Sequence, residues 1–238
     1  MTPTRTLQRR TLLMALLAAG IATMTGACSG NPRDSERQSA GTTESRSPEQ
    51  PLPDGNGNPG RRVLLVYFSR AGENYHYGDR TDLDVGNTEV LAGIIADHVD
   101  CDVHEIEAAV PYSDDYDATV ARNVREQEAN ARPAIANPLA SIEDYDVVLL
   151  ASPIWNVRPP MIMRTFAESV DFTGKTVHPV TTHAMSGLGT SEREYAEACP
   201  GAMIGEGLAV RGEEVREAQQ AVTRWLRGIN LVGGVGSE

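Results

Sequence analysis

Five short apolar runs mark the chain from Arg61 onward: Val63 to Phe68, Val103 to Ile106, Val147 to Ala151, Val177 to Thr181 and Ile204 to Leu208. They are rich in Val, Ile and Leu. The first and third show no polar alternation, which is the pattern of strands buried on both faces. Between the runs, apolar positions recur at helical spacing. Val90, Leu91, Ile94, Ile95 and Val99 form one stripe, and Val215, Ala218, Val222, Trp225 and Leu226 form another, in which Trp225 is expected to be core. A third helix is predicted from Pro159-Pro160, where proline is tolerated in a first turn, through Ile162 and Phe166. The polar segment from Tyr116 to Asn130 also reads as helical, with a solvated Arg and Glu face. Strands alternating with helices predict an α/β domain on a parallel sheet, with no internal repeat.

The first sixty residues read differently. Arg5, Arg9 and Arg10 precede an apolar run from Leu12 to Ala22 that is too short to span a membrane, and small residues then lead to Cys28. Residues 1–27 are therefore expected to be an export signal. Arg9-Arg10 before Thr11, Leu12 and Leu13 fits the twin-arginine type, the alternative being an ordinary secretory signal. Thr25-Gly26-Ala27-Cys28 resembles a lipoprotein cleavage box without its usual Leu, which makes Cys28 the expected lipidation site and otherwise a free thiol. Residues 28–60 turn to Ser, Pro, Gly, Asn and charge, with too little apolar surface to offset ordering entropy, so they read as a disordered tether to a single domain over 61–238.

Charge narrows the partners. The chain carries a formal net charge of -12, and losing the three arginines of the signal, which has no acidic residue, leaves -15. Nucleic acid and anionic lipid head groups are poor partners for such a chain, whereas a basic protein surface would be steered toward it, unless the charge serves only solubility. Cys101 and Cys199 sit in no CxxC or metal-ligand spacing. Both are expected to be small buried residues, placed too far apart for a disulfide.

Chemistry concentrates in three loops. The segment VLLVYFSRAGENYHYGDRTDLDVGNT, Val63 to Thr88, runs from a strand into a glycine-rich loop and ends on Gly86-Asn87-Thr88 at a helix start. Unpaired N–H groups and positive partial charge make such a start a phosphate cradle. It lacks the Gly-Lys-Ser/Thr ending of a nucleoside-triphosphate loop, which points to a phosphate already carried by a cofactor. The second loop is Ser152-Pro153-Ile154-Trp155-Asn156-Val157, and the third runs from Thr182 to Gly189. Asp79, Asp82 and Asp84 do not match a calcium loop, no second His stands at ligand spacing, and Ser69 and Ser186 lack the order of a nucleophilic triad.

These loops resemble the flavodoxin-like family, in a branch where Ser-Arg-Ala-Gly and Gly-Asn-Thr are separated by an insertion, here Glu73 to Val85. The resemblance covers nearly all of Arg61 to Gly228. It implies a three-layer sandwich on a five-stranded parallel sheet in the order 2-1-3-4-5, with flavin mononucleotide (FMN) where strand order reverses. It implies a phosphate site from Ser69, Arg70, Ala71, Gly72, Asn74, Gly86, Asn87 and Thr88, in which Arg70 reads equally as a surface residue. The flavin contacts it implies are Ser152, Pro153, Ile154, Trp155 and Asn156, together with Thr182, His183, Ala184, Ser186 and Gly187.

Several of these residues keep two readings. Trp155 is either a wall for the flavin ring or packing for the helix after Pro160, and His183 either donates to the flavin or shuttles a proton, or is structural. Tyr75, His76 and Tyr77 either cover the ligand or face water. Asn156 replaces the family's second aromatic, and Ala184-Met185 replaces paired glycines.

The twin-arginine route carries folded proteins, which suits a chain that must take up its cofactor in the cytoplasm. The expected role is an exported FMN-binding electron-transfer protein, on the outer face of the cytoplasmic membrane, in the periplasm or outside the cell. It would touch the membrane only through a lipid anchor and exchange electrons with a redox protein or a membrane electron donor. The alternatives are an FMN-dependent oxidoreductase reducing quinones or other small molecules, and a binding lipoprotein without flavin.

Overall fold

The computed structural model of the chain describes residues 60–233. The export signal, Cys28 and nearly all of the tether lie outside these described residues.

In chain order the elements are β1 (Val63–Tyr67), β2 (Gly72–His76), β3 (Asp79–Leu83), α1 (Asn87–Ala96), β4 (Asp102–Glu105), α2 (Tyr116–Glu128), β5 (Val147–Pro153), α3 (Met161–Ala167), β6 (Thr176–His183), α4 (Ser191–Ala198), β7 (Met203–Ile204), β8 (Leu208–Arg211) and α5 (Gln219–Gly228). The main sheet is parallel throughout, in the order β4-β1-β5-β6-β7, with β8 also on β6. With β7 and β8 together as the fifth strand, this is the 2-1-3-4-5 order the resemblance implies.

Alternating side chains of β1 divide the core into two layers. Val63, Leu65 and Tyr67 pack with Leu91, Ile95, Val222, Trp225 and Leu226 of α1 and α5. Leu64, Val66 and Phe68 pack with Ile162 and Phe166 of α3 and Tyr195 of α4 on the other face. This placement uses the double-sided apolarity of β1 and β5, whose strand residues from Val63 to Tyr67 and from Val147 to Ser152 are all buried. Trp225 is core, as expected.

The fifth strand departs from the single run expected over Ile204 to Leu208. β7 pairs with Thr176 and Val177, β8 pairs with Val180 to His183, and the ladder is broken opposite His178 and Pro179. The Pro179 carbonyl faces this edge, since a Cβ on Gly207 would lie 2.9 Å from it. The Pro179 nitrogen points the same way and has no hydrogen to donate. His178 fills the gap: its Nδ1 donates to the Glu206 carbonyl at 2.9 Å, and Trp225 Nε1 donates to the same carbonyl at 3.1 Å.

Other boundaries shift for local reasons. β5 and β6 run past their predicted ends because they pair with each other as far as Pro153 and Thr182. The helix α4 carries no apolar stripe long enough to read, and the sequence reading passes over it. The segment from Glu73 to Val85, read as a loop, folds largely as a hairpin of β2 and β3 turning at Tyr77 and Gly78, whose φ values of 47° and 92° suit a tight hairpin turn. Cys199 is buried but Cys101 only partly so, and both are free thiols whose pKa burial raises, to about 12 and about 11.

Candidate functional site

The carboxyl ends of β1, β5 and β6 open into one cleft of about 290 Å³. It lies where the chain, having placed β4 on one side of β1, crosses to place β5 on the other, the usual ligand position in such sheets.

One end of the cleft is built on α1. Gly86, its N-cap, is pressed against the β1 loop: a Cβ there would stand 2.2 Å from Ser69 Oγ and 2.6 Å from the Arg70 carbonyl. The contact lets Ser69 Oγ accept the Glu89 N–H at 3.1 Å, capping the helix from outside. The Asn87 and Thr88 N–H groups precede the first intrahelical bond, from Val90 to Gly86, and have no acceptor among the described residues. Thr88 Oγ1 is buried 2.7 Å from Thr182 Oγ1, which fixes the helix start to β6. Gly212 lies close enough that a Cβ would be 2.5 Å from the Asn87 amide nitrogen.

The other end is apolar. Pro153, Ile154 and Trp155 follow β5, with Tyr75 from the hairpin and Tyr116 from the start of α2. Trp155 is braced edge-on by Tyr112 and Phe68, at ring-centre distances of 5.1 and 5.7 Å. Its main chain pairs with Arg158 across the Asn156-Val157 turn, where both residues have positive φ. Trp155 thus packs on Tyr112 and Phe68 while lining the cleft.

At the end of β6 and just past it, His183, Ala184 and Met185 complete the rim, and Met185 is 78% exposed. The His183 Nδ1 is buried without a partner. Burial, seconded by Arg211, pulls the imidazole pKa below its ordinary value against the opposing pull of Glu213 and Glu214.

Of the residues read from the sequence, Ser69, Arg70, Asn74, Asn87, Thr88, Pro153, Ile154, Trp155, Thr182, His183 and Ala184 line the cleft. The others lie off its wall. Gly86 serves as the close-packing point described above, and Gly72 turns the chain at φ 77° against Asp114. Ala71 presents its carbonyl to the Asn74 amide, and Ser152 is wholly buried beneath the cleft. Asn156 is exposed and donates to Gln127 at 3.1 Å. Ser186 and Gly187 are held in a turn by Gly189 and Thr181.

Tyr75 lines the cleft, whereas His76 and Tyr77 do not. Tyr77 instead donates its N–H to Glu213 Oε1 at 3.1 Å. Sequence reading missed Tyr116, Gly212 and Glu213. Gly212, directly after the last strand, was the one legible signal, since a glycine at a strand end can mark close backbone approach. No group of three or more His, Cys, Asp or Glu suited to a metal occurs among the described residues.

A sequence model of the flavodoxin family matches residues 83–229. No curated protein matches the chain. Among solved structures, a candidate flavoprotein from Bacteroides uniformis is 30% identical with a TM-score of 0.56, the match covering 71% of this chain and 99% of that one. Another from Bacteroides eggerthii is 28% identical with a TM-score of 0.58, covering 73% and 99%. A flavoprotein from Lactobacillus acidophilus in complex with FMN is 19% identical with a TM-score of 0.48, covering 66% and 97%.

Proposed function

The chain belongs to the flavodoxin family, and from that premise we propose that it holds FMN in this cleft and serves as an exported, lipid-anchored electron carrier. The observation that carries the reading is the polarity of the cleft. A helix start with two unpaired N–H groups stands at one end, and a braced aromatic wall with an unpartnered His183 Nδ1 completes the rest.

Bound FMN would supply the electron chemistry. The protein's part is to hold and insulate it. Asn87 and Thr88 offer main-chain N–H groups to the phosphate, and the Ser69 and Thr182 contacts keep those donors in place before ligand arrives. Pro153, Ile154 and Trp155 exclude water from the ring and disfavour negative charge beside it, which lowers the tendency to accept electrons. His183, kept neutral by its burial, offers a ring nitrogen at the opposite rim.

Export rests on Arg9-Arg10 and the apolar run after them, anchoring on Cys28, and a basic redox partner on the acidic charge of the chain. The test is to produce the chain without residues 1–27 in a cytoplasm, purify it without added cofactor, and record its visible spectrum. A stoichiometric band whose heat-released chromophore chromatographs as FMN is expected. A folded, colourless protein that also refuses FMN in titration would sink the reading. Repeated turnover of a nicotinamide by the loaded protein would replace the carrier with an oxidoreductase. Loss of labelled fatty acid and of membrane association in Cys28→Ala tests the anchor.

A further inference from the structure

The hairpin of β2 and β3 joins two walls of the cleft, and its grip on them is unequal. Asn74 and Tyr75 of β2 line the cleft, as do Tyr116 at the start of α2 and Glu213 after β8. Toward α2 the hairpin is fastened by its main chain. Gly72 sits so close to Asp114 that a Cβ would stand 2.8 Å from its backbone, and the Glu73 N–H donates to the Asp114 carbonyl at 2.8 Å. Glu73 Oε2 accepts the Tyr116 N–H at 3.1 Å, and Arg80 reaches Asp117 at 2.7 Å. On the other side, among the described residues, one hydrogen bond holds it: the Tyr77 N–H donates to Glu213 Oε1 at 3.1 Å.

Little else fastens the tip. No residue of β2 or β3 is buried, and none belongs to either layer of the core. The two strands pair only with each other, and a lone two-stranded hairpin is marginal in water. Segments with few buried apolar contacts are the ones that open locally at low cost. Tyr77 leaves 62% of its surface exposed, so its ring adds little anchorage. The bond at the tip also carries its own opposition. Glu213 Oε2 is buried without a partner while Oε1 holds Tyr77, and parting the two lets water reach that oxygen, which offsets part of the lost bond.

We propose that the hairpin is a flap, rooted at Gly72 and Glu73 and latched by Tyr77 on Glu213, which must unlatch for a flavin to enter or leave the cleft. The proposal rests on the FMN reading for what passes the flap, whereas the latch is a property of the chain alone. With the root fixed, release of the tip draws Tyr75 away from the cleft. A gate of this kind acts on passage in both directions, so a weaker latch changes how fast flavin exchanges rather than how tightly it is held. It also treats FMN and riboflavin alike, since it controls access and not a contact with the phosphate.

Stopped-flow fluorescence gives association and dissociation rates for both flavins in the unaltered chain, Glu213→Ala and Glu213→Gln. In Glu213→Ala both rates are expected to rise about tenfold for each flavin, the scale of one lost hydrogen bond to a charged group, with their ratio nearly unchanged. Glu213→Gln removes the charge but keeps an oxygen for the Tyr77 N–H, so its rates should rise less. A rise in dissociation alone, an effect confined to FMN, or a Gln variant that matches Ala overturns the proposal and leaves Glu213 a contact or a charge in the cleft wall. A second measurement needs no flavin. Trypsin cleavage after Arg80, read by mass spectrometry as fragments beginning at Thr81, follows the population of the released hairpin and should be about tenfold faster in flavin-free Glu213→Ala. Equal cleavage in the two chains rejects the latch. If the unaltered chain binds neither flavin, the FMN reading fails separately and the trypsin comparison decides the latch by itself.

Discussion

The hydroxyl of Thr88 on the first turn of α1 lies 2.7 Å from that of Thr182 at the end of β6, and both side chains are buried. The bond joins the two ends of the proposed cofactor site, since Thr88 lies in the first turn of α1 and Thr182 precedes the His183 rim. Replacing Thr88 with Val keeps its shape but strands the Thr182 hydroxyl in the interior, a change worth about 1–3 kcal/mol. Denaturant unfolding of Thr88→Val is expected to show a loss in that range. Thr88→Val with Thr182→Val should lose less than the sum of the single changes, because no hydroxyl is then left unpaired. Simple additivity would show that the two hydroxyls are not coupled.

Two glycines of one segment should respond in opposite directions. Gly86→Ala puts a methyl 2.6 Å from the Arg70 carbonyl, a main-chain atom that cannot move without shifting the α1 start. FMN affinity is expected to fall at least about tenfold, with stability falling as well. Gly93→Ala lies on an exposed helix position with no atom within 4 Å of the new Cβ. It should stabilise the protein by up to about 1 kcal/mol and leave flavin titration unchanged. Thermal unfolding and fluorescence titration of both variants check the pair.

How far the sequence was legible follows the range of the forces involved. β1 and β5 could be read because burial on both faces writes itself into continuous apolar runs, and the α1 start because Gly86-Asn87-Thr88 is local chemistry. The break between β7 and β8 could not, because it depends on Pro179 of a neighbouring strand facing that edge. Tyr116 and Glu213 escaped for the same reason. They reach the cleft through contacts with the hairpin: the Tyr116 N–H donates to Glu73, and Glu213 accepts from Tyr77. The hairpin itself carried a Tyr77-Gly78 turn, but its strands are polar, so the usual apolar alternation was absent.

Acidification should weaken the fold in two stages. Burial lowers the pKa of His104, His178 and His183 below 6.5, so the unfolded chain takes up protons that the folded one refuses. Their contribution is complete above pH 6.5 and is lost as pH falls through the folded values. Glu168, held by Arg132 and Arg164, has its pKa lowered from 4.5 to about 2, so its contribution is lost only across that lower window. Unfolding midpoints measured from pH 8 to pH 3 should begin to fall below 6.5 and fall again below 4.5. His178→Asn should reduce the slope of the first stage, and it should lower stability at pH 8 because the gap between β7 and β8 loses its filling ring.

Trp155 serves both packing and lining, and the two roles separate by substitution. Trp155→Phe retains an aromatic wall against Tyr112 and Phe68, whereas Trp155→Ala opens it to water. Removing an apolar wall eases the solvation of negative charge on a reduced flavin, so the midpoint potential of the Ala variant should move to a less negative value. The Phe variant should lie close to the unaltered protein. Ala should also lower stability by up to about 3 kcal/mol, at the lower end for a large aromatic because Trp155 is only partly buried. Spectroscopic redox titration and denaturant unfolding on the same samples distinguish the roles. An unchanged potential and FMN affinity in Trp155→Ala, with stability reduced, would confine Trp155 to packing and place the ring wall on Ile154, Tyr75 and Tyr116.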